Sequence, residues 1–366
     1  MDIEVTQENL AKALGNVSRV ASSKAGLPIL DNVLLRVSGN QLFIAATNLE
    51  LAASQMIGAK VVKPGSITVP AKLITEFVQN LPKEVVSLKV KDNHLSVKAG
   101  GFHSTINGVS DEEFPELPTI DEKTAHSLAI PVDIFKEAVQ QTIITASNDS
   151  TRPVLTGVFW HVLEGNLFFV ATDGYRLAEK KVVEYKDDLA VIIPVSTLQE
   201  ALRTLTDDID TVDILLDDIQ VRFRVGDGEI TSKLIDGNFP DYRSLIPSSS
   251  ETTVTINKTD LGRVVKVASL FARDNGGTIE INVDSDKNSL TVGSIASEVG
   301  ENSSEIMTTV VGEGGSVNLN SRYLNEALGV ITQQEITFAF SGKLSPIVIR
   351  PSEQDSYMHI IMPIKS

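Results

Sequence analysis

The feature that most constrains the fold of this chain is a long internal repeat. The stretch Thr68–Leu81 aligns without gaps with Ile192–Leu205 and with Asn318–Ile331, at a period of about 125 residues. Each copy carries a glutamate in the same column, with an apolar residue two positions away on either side. These glutamates are Glu76, Glu200 and Glu326. Three copies in 366 residues predict three equivalent domains, against the alternative of one α+β enzyme with coincidental similarity.

Other elements recur at the same period. Apolar residues at i, i+4 and i+7 or i+8 predict an amphipathic helix in Leu10–Ser18, Phe135–Ile143 and Leu261–Ser269. Alternating apolar residues then predict a hairpin after this helix and another after the second helix of each copy. The hairpins are Leu34–Thr47, Val158–Thr172 and Ile279–Val292, then Val86–Val97, Val212–Val225 and Ile336–Ile349. The pattern predicts an α+β chain in which each domain has two helices on one face of antiparallel sheets.

The ends of these elements are marked by residues that favour turns and helix starts. Pro70, Pro194 and Asn320 stand at the same column, where the second helix of each copy is predicted to begin. The proline-rich stretch Pro115–Lys123 and the serine-rich stretch Ser248–Thr252 predict linkers. The predicted domains are therefore residues 1–122, 123–250 and 251–366.

Composition limits the classes of function. A net charge of −16 and a pI near 4.8 are unusual for a nucleic-acid binder, so any DNA role needs a local basic face or a mechanism other than affinity. The chain has no cysteine, which excludes disulfides, thiolate metal sites and thiol catalysis. Its apolar runs are short and no signal peptide is visible, which predicts a cytoplasmic protein with no membrane association.

No residue pattern supports catalysis. The five histidines lack metal-ligand spacing, and His161 in its apolar strand is interpreted as a hydrogen-bonded core imidazole. The Gly226–Gly228 stretch favours a hairpin turn over a phosphate-binding loop. The acidic pairs Asp207–Asp208 and Asp217–Asp218 could bind a hard cation but are more typical of solvated turns. The prediction is a non-enzymatic protein without metal or cofactor.

Four segments carry a resemblance to a known family. They are Leu27–Leu30, Ala171–Ala178, Ser232–Arg243 and Ile360–Lys365. Together with the chain length and the repeat, these segments resemble the β subunit of bacterial DNA polymerase III, the sliding-clamp family, over the whole chain. The resemblance implies the DNA clamp fold, in which two chains close head to tail into a ring with sheets outside and helices lining the hole. Such a ring retains DNA by topology, which is compatible with an acidic chain.

The resemblance also implies a function and partners. The chain would encircle double-stranded DNA without sequence preference and tether the DNA polymerase III α subunit. The clamp loader, other polymerases and repair proteins would bind through a short clamp-binding peptide. An extended peptide with a glutamine followed by leucine and phenylalanine-like anchors suits an apolar pocket with a few polar groups.

The family's pocket positions transfer to this chain residue by residue. The implied apolar floor consists of Leu155, Thr172, Leu177, Pro240, Leu245, Ile360 and Met362, with Pro346 on an adjacent loop. The implied frame consists of Arg152, Gly174, Tyr175, Arg176 and Pro363. The alternative is that these residues only pack a domain junction. Ser244 and the terminal Lys365 and Ser366 depart from the family pattern, so no partner contact is assigned to them.

Two further sets follow from the resemblance. The implied DNA-facing residues are Lys12, Lys24, Lys72, Lys136, Arg203, Arg263, Lys266, Asn320, Arg322 and Tyr323. The implied dimer interface joins Phe102, Ser104 and Ile106 of a first-domain edge strand to Leu270, Phe271, Glu298, Glu301 and Glu305. For most of the lysines a merely solvated helix face is the alternative, and for Leu270 and Phe271 it is a place in the core. Val195 and Ser196 stand where relatives carry basic residues, and the edge strand lacks the arginines of some relatives.

Two other classes of function remain as alternatives. A β-rich structural or adhesion module built from repeats would need a route of export. An enzyme with a site assembled between domains would need titratable residues that converge in one cleft. Loading onto circular DNA, and release when that DNA is cut, would distinguish a clamp from both.

Overall fold

The computed structural model describes residues 1–22, 26–206, 209–296, 300–353 and 356–365. The chain forms two compact units. The first contains Met1–Val132 and Ser196–Leu234, and the second contains Asp133–Val195 and Ile235–Ser366. Each unit therefore holds one complete outer repeat together with part of the middle repeat.

Six α-helices occur in the described ranges, two for each repeat, and their order confirms the predicted pattern. They are α1 (Gln7–Val17), α2 (Ala71–Gln79), α3 (Val132–Ile143), α4 (Val195–Thr204), α5 (Lys258–Phe271) and α6 (Ser321–Val330). Glu76, Glu200 and Glu326 occupy the same position in α2, α4 and α6, counted from the first helical residue. The columns predicted from the alignment are therefore structurally equivalent.

The starts of the second helices also agree with the sequence. Pro70 and Pro194 directly precede the first residues of α2 and α4. Asn320 caps α6, because its side-chain oxygen accepts a hydrogen bond from the backbone N–H of Arg322 at 2.9 Å. A cap of this kind satisfies one of the N–H groups that the first helical turn leaves without a partner.

The strands follow the same threefold order. The first repeat contains β1 (Asp2–Thr6), β2 (Asn32–Ser38), β3 (Gln41–Thr47), β4 (Leu51–Gly58), β5 (Lys60–Lys63), β6 (Ser66–Pro70), β7 (Val85–Lys91), β8 (His94–Ala99) and β9 (Phe102–Asn107). The second contains β10 (His126–Pro131), β11 (Gly157–Leu163), β12 (Asn166–Thr172), β13 (Arg176–Glu184), β14 (Ala190–Pro194), β15 (Thr211–Leu216), β16 (Gln220–Val225) and β17 (Gly228–Lys233). The third contains β18 (Thr252–Asn257), β19 (Thr278–Asp284), β20 (Ser289–Ala296), β21 (Gly300–Met307), β22 (Thr309–Gly312), β23 (Gly315–Asn320), β24 (Glu335–Phe340), β25 (Ile347–Pro351) and β26 (Tyr357–Ile361). All six predicted hairpins are present.

The strands form four antiparallel sheets, two in each unit. The first unit contains the orders β5-β1-β7-β8-β9 and β10-β15-β16-β17-β4-β3-β2-β6. The second unit contains the orders β14-β11-β12-β13-β26-β25-β24-β18-β22 and β21-β20-β19-β23. The longer sheet of each unit thus combines strands from two successive repeats.

These longer sheets are built at equivalent joints. In the first unit β17 pairs with β4, and Ile230 lies opposite Ala53. In the second unit β26 pairs with β13, and His359 lies opposite Ala178. The third pair of equivalent strands, β9 and β21, is not joined in the described residues, and each forms the edge of its sheet.

The helices of the outer repeats pack against these sheets through apolar faces. In α1 the buried residues include Leu10, Leu14 and Val17, and this helix contacts α2, β3 and β4. In the middle repeat Trp160 is fully buried and stacks on Phe169 at 3.9 Å between ring centroids. Burying a side chain of this size contributes about 2–3 kcal/mol. Within the described ranges, no helix is both long and apolar enough to cross a bilayer.

Candidate functional site

The turn between β12 and β13 is fixed by its own side chains. The hydroxyl of Thr172 donates to the carbonyl of Arg176 at 2.7 Å and accepts from the N–H of Gly174 at 3.0 Å. The carboxylate of Asp173 accepts the N–H groups of Tyr175 and Arg176. Gly174 has a φ of +92°, a conformation that L side chains rarely adopt. The turn thereby holds Tyr175 with 64% of its surface exposed.

Arg176 connects this turn to helix α6. Its guanidinium pairs with Asp173 at 3.0 Å and also with Glu326, while only 8% of its side chain is exposed. It lies 4.4 Å from the centre of the Tyr323 ring, a cation–π distance. A buried cation costs free energy unless it is paired, so the two carboxylates stabilise the Arg176 guanidinium at this buried position. Tyr323 thus contacts a residue of the implied pocket, which the sequence-based assignment to a DNA-facing set did not anticipate.

The apolar floor forms where β13 pairs with β26. Leu177 lies opposite Ile360, and both are almost fully buried. They belong to one cluster whose other buried members are Val170, Tyr242, Val348 and Met358. Sequence reasoning missed these four residues. The alternation along β26 could have indicated Met358, because Met358, Ile360 and Met362 recur at the period of a strand.

The remaining members of the implied pocket lie in the same unit. Leu155 and Thr172 are buried, whereas Met362, Pro363 and Pro346 are half-buried. Leu245 is 48% exposed, and Pro240 and Arg152 are also exposed. The backbone N–H of Met362 donates to the carbonyl of Tyr175 at 2.8 Å, which connects the C-terminal segment to the turn. The set therefore combines buried apolar residues with exposed apolar and polar residues.

Two histidines in this unit are neutral at physiological pH. Burial, and to a lesser extent the nearby Arg243, lower the pKa of His161 to about 4. His161 is half-buried, and its Nε2 lies 2.8 Å from the Tyr242 hydroxyl, which agrees with the predicted hydrogen-bonded imidazole. Burial, followed by the charge of Arg176, lowers the pKa of His359 to about 3. The Nδ1 of His359 lies 3.0 Å from the Tyr357 hydroxyl.

These pKa values predict that the fold loses stability in mild acid. The folded histidines stay neutral down to pH about 4, whereas unfolded histidine takes up a proton below pH about 6.5. Their contribution is therefore complete above pH about 6.5 and falls as the pH decreases from there. Urea unfolding at pH 7.5, 6.0 and 5.0 should show that His359→Gln flattens the dependence by about 1.4 kcal/mol per pH unit below pH about 6, with little effect above pH about 6.5.

The control for this experiment is His94→Gln, because His94 lies on an exposed position of β8. This variant should reproduce the pH dependence of the unchanged protein. An unaltered slope in His359→Gln would contradict the assignment of a neutral buried imidazole.

The implied DNA-facing residues lie on or beside the helices, except Lys24, which is outside the described residues. Lys12, Lys72, Lys136, Arg203, Arg263, Lys266 and Arg322 are exposed, whereas Asn320 and Tyr323 are half-buried. Four of the basic residues pair with carboxylates of their own helix. The pairs are Lys72 with Glu76 at 4.0 Å, Arg263 with Asp260 at 3.3 Å, Arg322 with Glu326 at 3.9 Å, and Arg203 with Glu200. The local positive charge of these helices is thus partly neutralised within the chain.

The implied interface residues occupy two sheet edges and the end of α5. On β9, Phe102 is 54% exposed, Ser104 is half-buried and Ile106 is buried. Leu270 is 53% exposed, so it is not a core residue of its own repeat, whereas Phe271 is half-buried. Glu301 and Glu305 are exposed on β21, and Glu298 lies outside the described residues.

Two concave regions lie apart from the implied pocket. A cleft of about 110 Å³ in the first unit is lined by residues that include Lys12, Gln55 and Asp227. A groove of about 650 Å³ in the second unit is lined by residues that include Ile295 and Lys365. In the described part of the chain, no group of three or more acidic or histidine side chains has the arrangement of a metal site. Asp207 and Asp208 lie outside the described residues.

Comparison with known proteins matches the three repeats to three consecutive domains of one family. Models of the DNA polymerase III beta subunit match residues 1–118 (N-terminal domain), 129–241 (central domain) and 243–365 (C-terminal domain). The beta sliding clamp of Synechococcus elongatus is 30% identical over 374 residues, which cover 100% of this chain and 99% of that protein. The beta sliding clamp of Bacillus subtilis is 29% identical over 379 residues, which cover 100% of both chains.

The fold agrees with the sequence relationship. The crystal structure of the DNA polymerase sliding clamp from Bacillus subtilis superposes with a TM-score of 0.96 at 28% identity, covering 100% of this chain and 99% of that one. The crystal structure of the DNA polymerase III subunit beta from Pseudomonas aeruginosa gives a TM-score of 0.92 at 27% identity and covers 100% of both chains. The repeats are therefore the three domains of the sliding-clamp fold, which contain antiparallel sheets and two helices each. The chain belongs to the DNA polymerase III beta subunit family of sliding clamps.

Proposed function

We propose that this protein is a sliding clamp that encircles duplex DNA and holds the replicative polymerase on its template. Two copies close head to tail into a ring, and partner proteins bind through a short peptide. The chain itself performs no chemistry and requires no cofactor. Residues 1–122, 123–250 and 251–366 are its three domains. The alternative of a structural or adhesion module gains no support from the relatives, which are named as sliding clamps.

The observation that carries the proposal is the pair of unjoined equivalent strands. Two joints, β17 with β4 and β26 with β13, connect successive repeats within the chain. The strands that would make the third joint, β9 and β21, each pair with a strand on one side only within the described residues, and an edge strand of this kind presents backbone groups to a further strand. A second copy offers the missing partner for each of them, and a head-to-tail contact of this kind forms a ring when the rotation between copies closes.

The register of the third joint follows from the two existing ones. Ser104, Ile230 and His359 occupy equivalent positions of β9, β17 and β26. Each pairs with the equivalent residue of the strand before it, namely Val97, Phe223 and Ile349. Asn302, Ala53 and Ala178 likewise occupy equivalent positions of β21, β4 and β13. Each pairs with the equivalent residue of the strand before it, namely Ser294, Ala46 and Ala171. Since Ile230 lies opposite Ala53 and His359 opposite Ala178, Ser104 of one copy should lie opposite Asn302 of the other.

The exposed lysines and arginines of the helices supply the contact with DNA. Carboxylates on the same helices pair with several of these side chains, as with Lys72 and Glu76. The attraction to phosphate is therefore weak, and retention depends on the closed ring rather than on affinity. A clamp that must move along DNA benefits from this balance, because strong local binding would oppose sliding.

The apolar cluster around Leu177 and Ile360 supplies the site for partner peptides. Its buried residues form a floor, and the exposed Tyr175, Leu245 and Arg152 form its rim. Apolar anchors of an extended peptide would cover the floor, while polar groups of the rim would set its direction. The polymerase α subunit, the clamp loader, and other polymerases and repair proteins are the expected partners.

The experiment that tests the proposal is retention on DNA. The protein is assembled by a clamp loader on a nicked circular plasmid and separated from free protein by gel filtration. We expect it to elute with the circular DNA at 0.5 M salt, and to be released when a single restriction cut linearises the plasmid. Binding to a short linear duplex should be weak and should fall steeply between 50 and 200 mM salt.

Equal retention on circular and linear DNA would contradict a topological mechanism. A matched control keeps the plasmid circular by omitting the restriction enzyme. Stimulation of polymerase processivity on the same template provides the functional measurement.

A further inference from the structure

The segment that carries Leu245 contacts its sheet through Phe239, Tyr242 and Ile246, and of these three only Tyr242 is fully buried. After β17 the chain runs over the face of the β11–β13 sheet and makes a short 3-10 turn at Arg243–Leu245. Pro240, Arg243 and Leu245 are exposed, whereas Tyr242 is only 3% exposed. Tyr242 is therefore the most deeply buried contact of a segment whose Pro240, Arg243 and Leu245 face solvent.

The hydroxyl of Tyr242 joins two side chains of the sheet. It donates a hydrogen bond to the carboxylate of Glu179 at 2.5 Å. Because its proton is used there, its oxygen accepts from the Nε2–H of His161 at 2.8 Å. Glu179 is only 8% exposed, and the cationic Arg243 is farther from its carboxylate, at 3.8 Å. Among the described residues, this hydroxyl is the close donor to the buried carboxylate of Glu179.

Aromatic rings fix the direction of this contact. Phe159 stacks on His161 and on Phe239, each at 4.8 Å between ring centroids. Tyr242 meets His161 edge-on at 5.7 Å. Hydrogen bonds require a suitable distance and a suitable angle. The two hydrogen bonds that link His161, Tyr242 and Glu179 therefore allow one orientation of the tyrosine. Leu245 follows three residues later, and its N–H donates to the carbonyl of Tyr242 at 3.0 Å.

The first repeat shows that a segment can cover the sheet without hydrogen bonds like those that link His161, Tyr242 and Glu179. Its equivalent segment begins with Phe114 and Pro115, as the second begins with Phe239 and Pro240. There Leu117 stands in place of Tyr242, and it packs on an apolar cluster with Leu34, Ala45 and Phe114. Ile120, which corresponds to Leu245, is 6% exposed, whereas Leu245 is 48% exposed. Of these two segments, the hydrogen bonds through Tyr242 therefore occur in the one whose apolar residue at this position, Leu245, is exposed to solvent.

We propose that Tyr242 is a positioning residue for partner recognition, whose hydroxyl, held between His161 and Glu179, fixes Leu245 as one wall of the peptide pocket. This inference rests on the proposed function of that pocket. The bound group at this wall is an apolar side chain of an extended peptide. Tyr242 itself is buried beneath the segment and acts on the peptide only through Leu245.

The test is a double-mutant cycle measured by anisotropy with a fluorescein-labelled extended peptide that carries a glutamine followed by leucine and phenylalanine anchors. Tyr242→Phe removes only the hydroxyl and should weaken binding by about threefold to tenfold, the usual effect of one buried hydrogen bond. Leu245→Ala should weaken binding at least as much. The double variant should bind no worse than Leu245→Ala alone, because the tyrosine acts through that leucine.

Controls separate positioning from general destabilisation. Tyr357→Phe removes another buried hydroxyl, at a residue that packs in the core cluster on the opposite face of β26. It should lower the melting temperature without changing peptide affinity. Glu179→Ala removes the acceptor and should reproduce the loss seen in Tyr242→Phe, again without further loss when combined with Leu245→Ala.

The outcomes distinguish this inference from the function on which it rests. If the unchanged protein does not bind the peptide, the proposed pocket is wrong. If it binds and Leu245→Ala weakens binding, but Tyr242→Phe has no effect or its effect adds fully to that of Leu245→Ala, the pocket stands and the positioning role is overturned.

Discussion

A variant with Ser104→Cys and Asn302→Cys should form a covalent dimer almost completely under mild oxidation. The two residues are placed opposite each other by the register of the internal joints, Ile230 with Ala53 and His359 with Ala178. Directly opposite residues of antiparallel strands have Cβ atoms about 4.5–5.5 Å apart, close enough for a disulfide after a small adjustment. The chain contains no cysteine of its own, so each crosslink reports this contact alone. Non-reducing electrophoresis measures the product.

The matched control shifts the register by one residue. Ser104→Cys with Ser303→Cys places the two thiols on opposite faces of the paired strands and should crosslink poorly. Adding Leu270→Ala and Phe271→Ala to the first variant should prevent crosslinking, because these residues at the end of α5 are expected to support the joint. Monomers from the first variant, or equal crosslinking in both registers, would contradict the proposed ring contact.

Replacing Leu177 and Met362 with alanine should abolish binding of partner peptides. Leu177 is 3% exposed and lies in the apolar cluster, and Met362 is held beside Tyr175 by a backbone hydrogen bond. Truncating a side chain that acts as a hot spot of a binding surface costs about 2 kcal/mol or more, and we expect both residues to be hot spots. Two such losses correspond to a decrease in affinity of about a thousandfold. Fluorescence anisotropy with a labelled partner peptide measures the effect.

The control variant for this experiment is Ile219→Ala, since Ile219 is 65% exposed and belongs to the other compact unit. It should bind the peptide normally. The Leu177→Ala and Met362→Ala variant should remain a dimer by light scattering and should lose polymerase stimulation. Unchanged peptide affinity in this variant would show that the site lies elsewhere.

Much of the fold could be predicted from local patterns in the sequence. The spacing of Leu10, Phe135 and Leu261 with their apolar neighbours predicted the first helix of each repeat, and all three helices are present. Periodicity is visible in sequence because each helix or hairpin buries one face against its immediate neighbours. The helix starts after Pro70 and Pro194 were predictable for a similar reason, since a restricted backbone acts locally.

The candidate site was predicted only in part. Resemblance supplied Leu177, Ile360 and Met362, and their unit brings the first two together across β13 and β26. Its assignment of Tyr323 to the DNA-facing residues stays a prediction, and it did not indicate that the Tyr323 ring lies beside Arg176. It did not indicate Tyr242, whose role depends on a hydroxyl rather than on its apolar ring.

The sequence by itself determined the number of repeats, the order of their helices and hairpins, and the absence of thiol chemistry. Tertiary structure alone decided which repeats share a sheet, because pairing of β26 with β13 depends on backbone groups that carry no residue-specific signal. It also decided which charges meet. Arg176 and Glu326 are far apart in sequence yet form one ion pair, and Tyr242 reaches Glu179 in the same way. Such contacts depend on long-range packing geometry, which local periodicity does not encode.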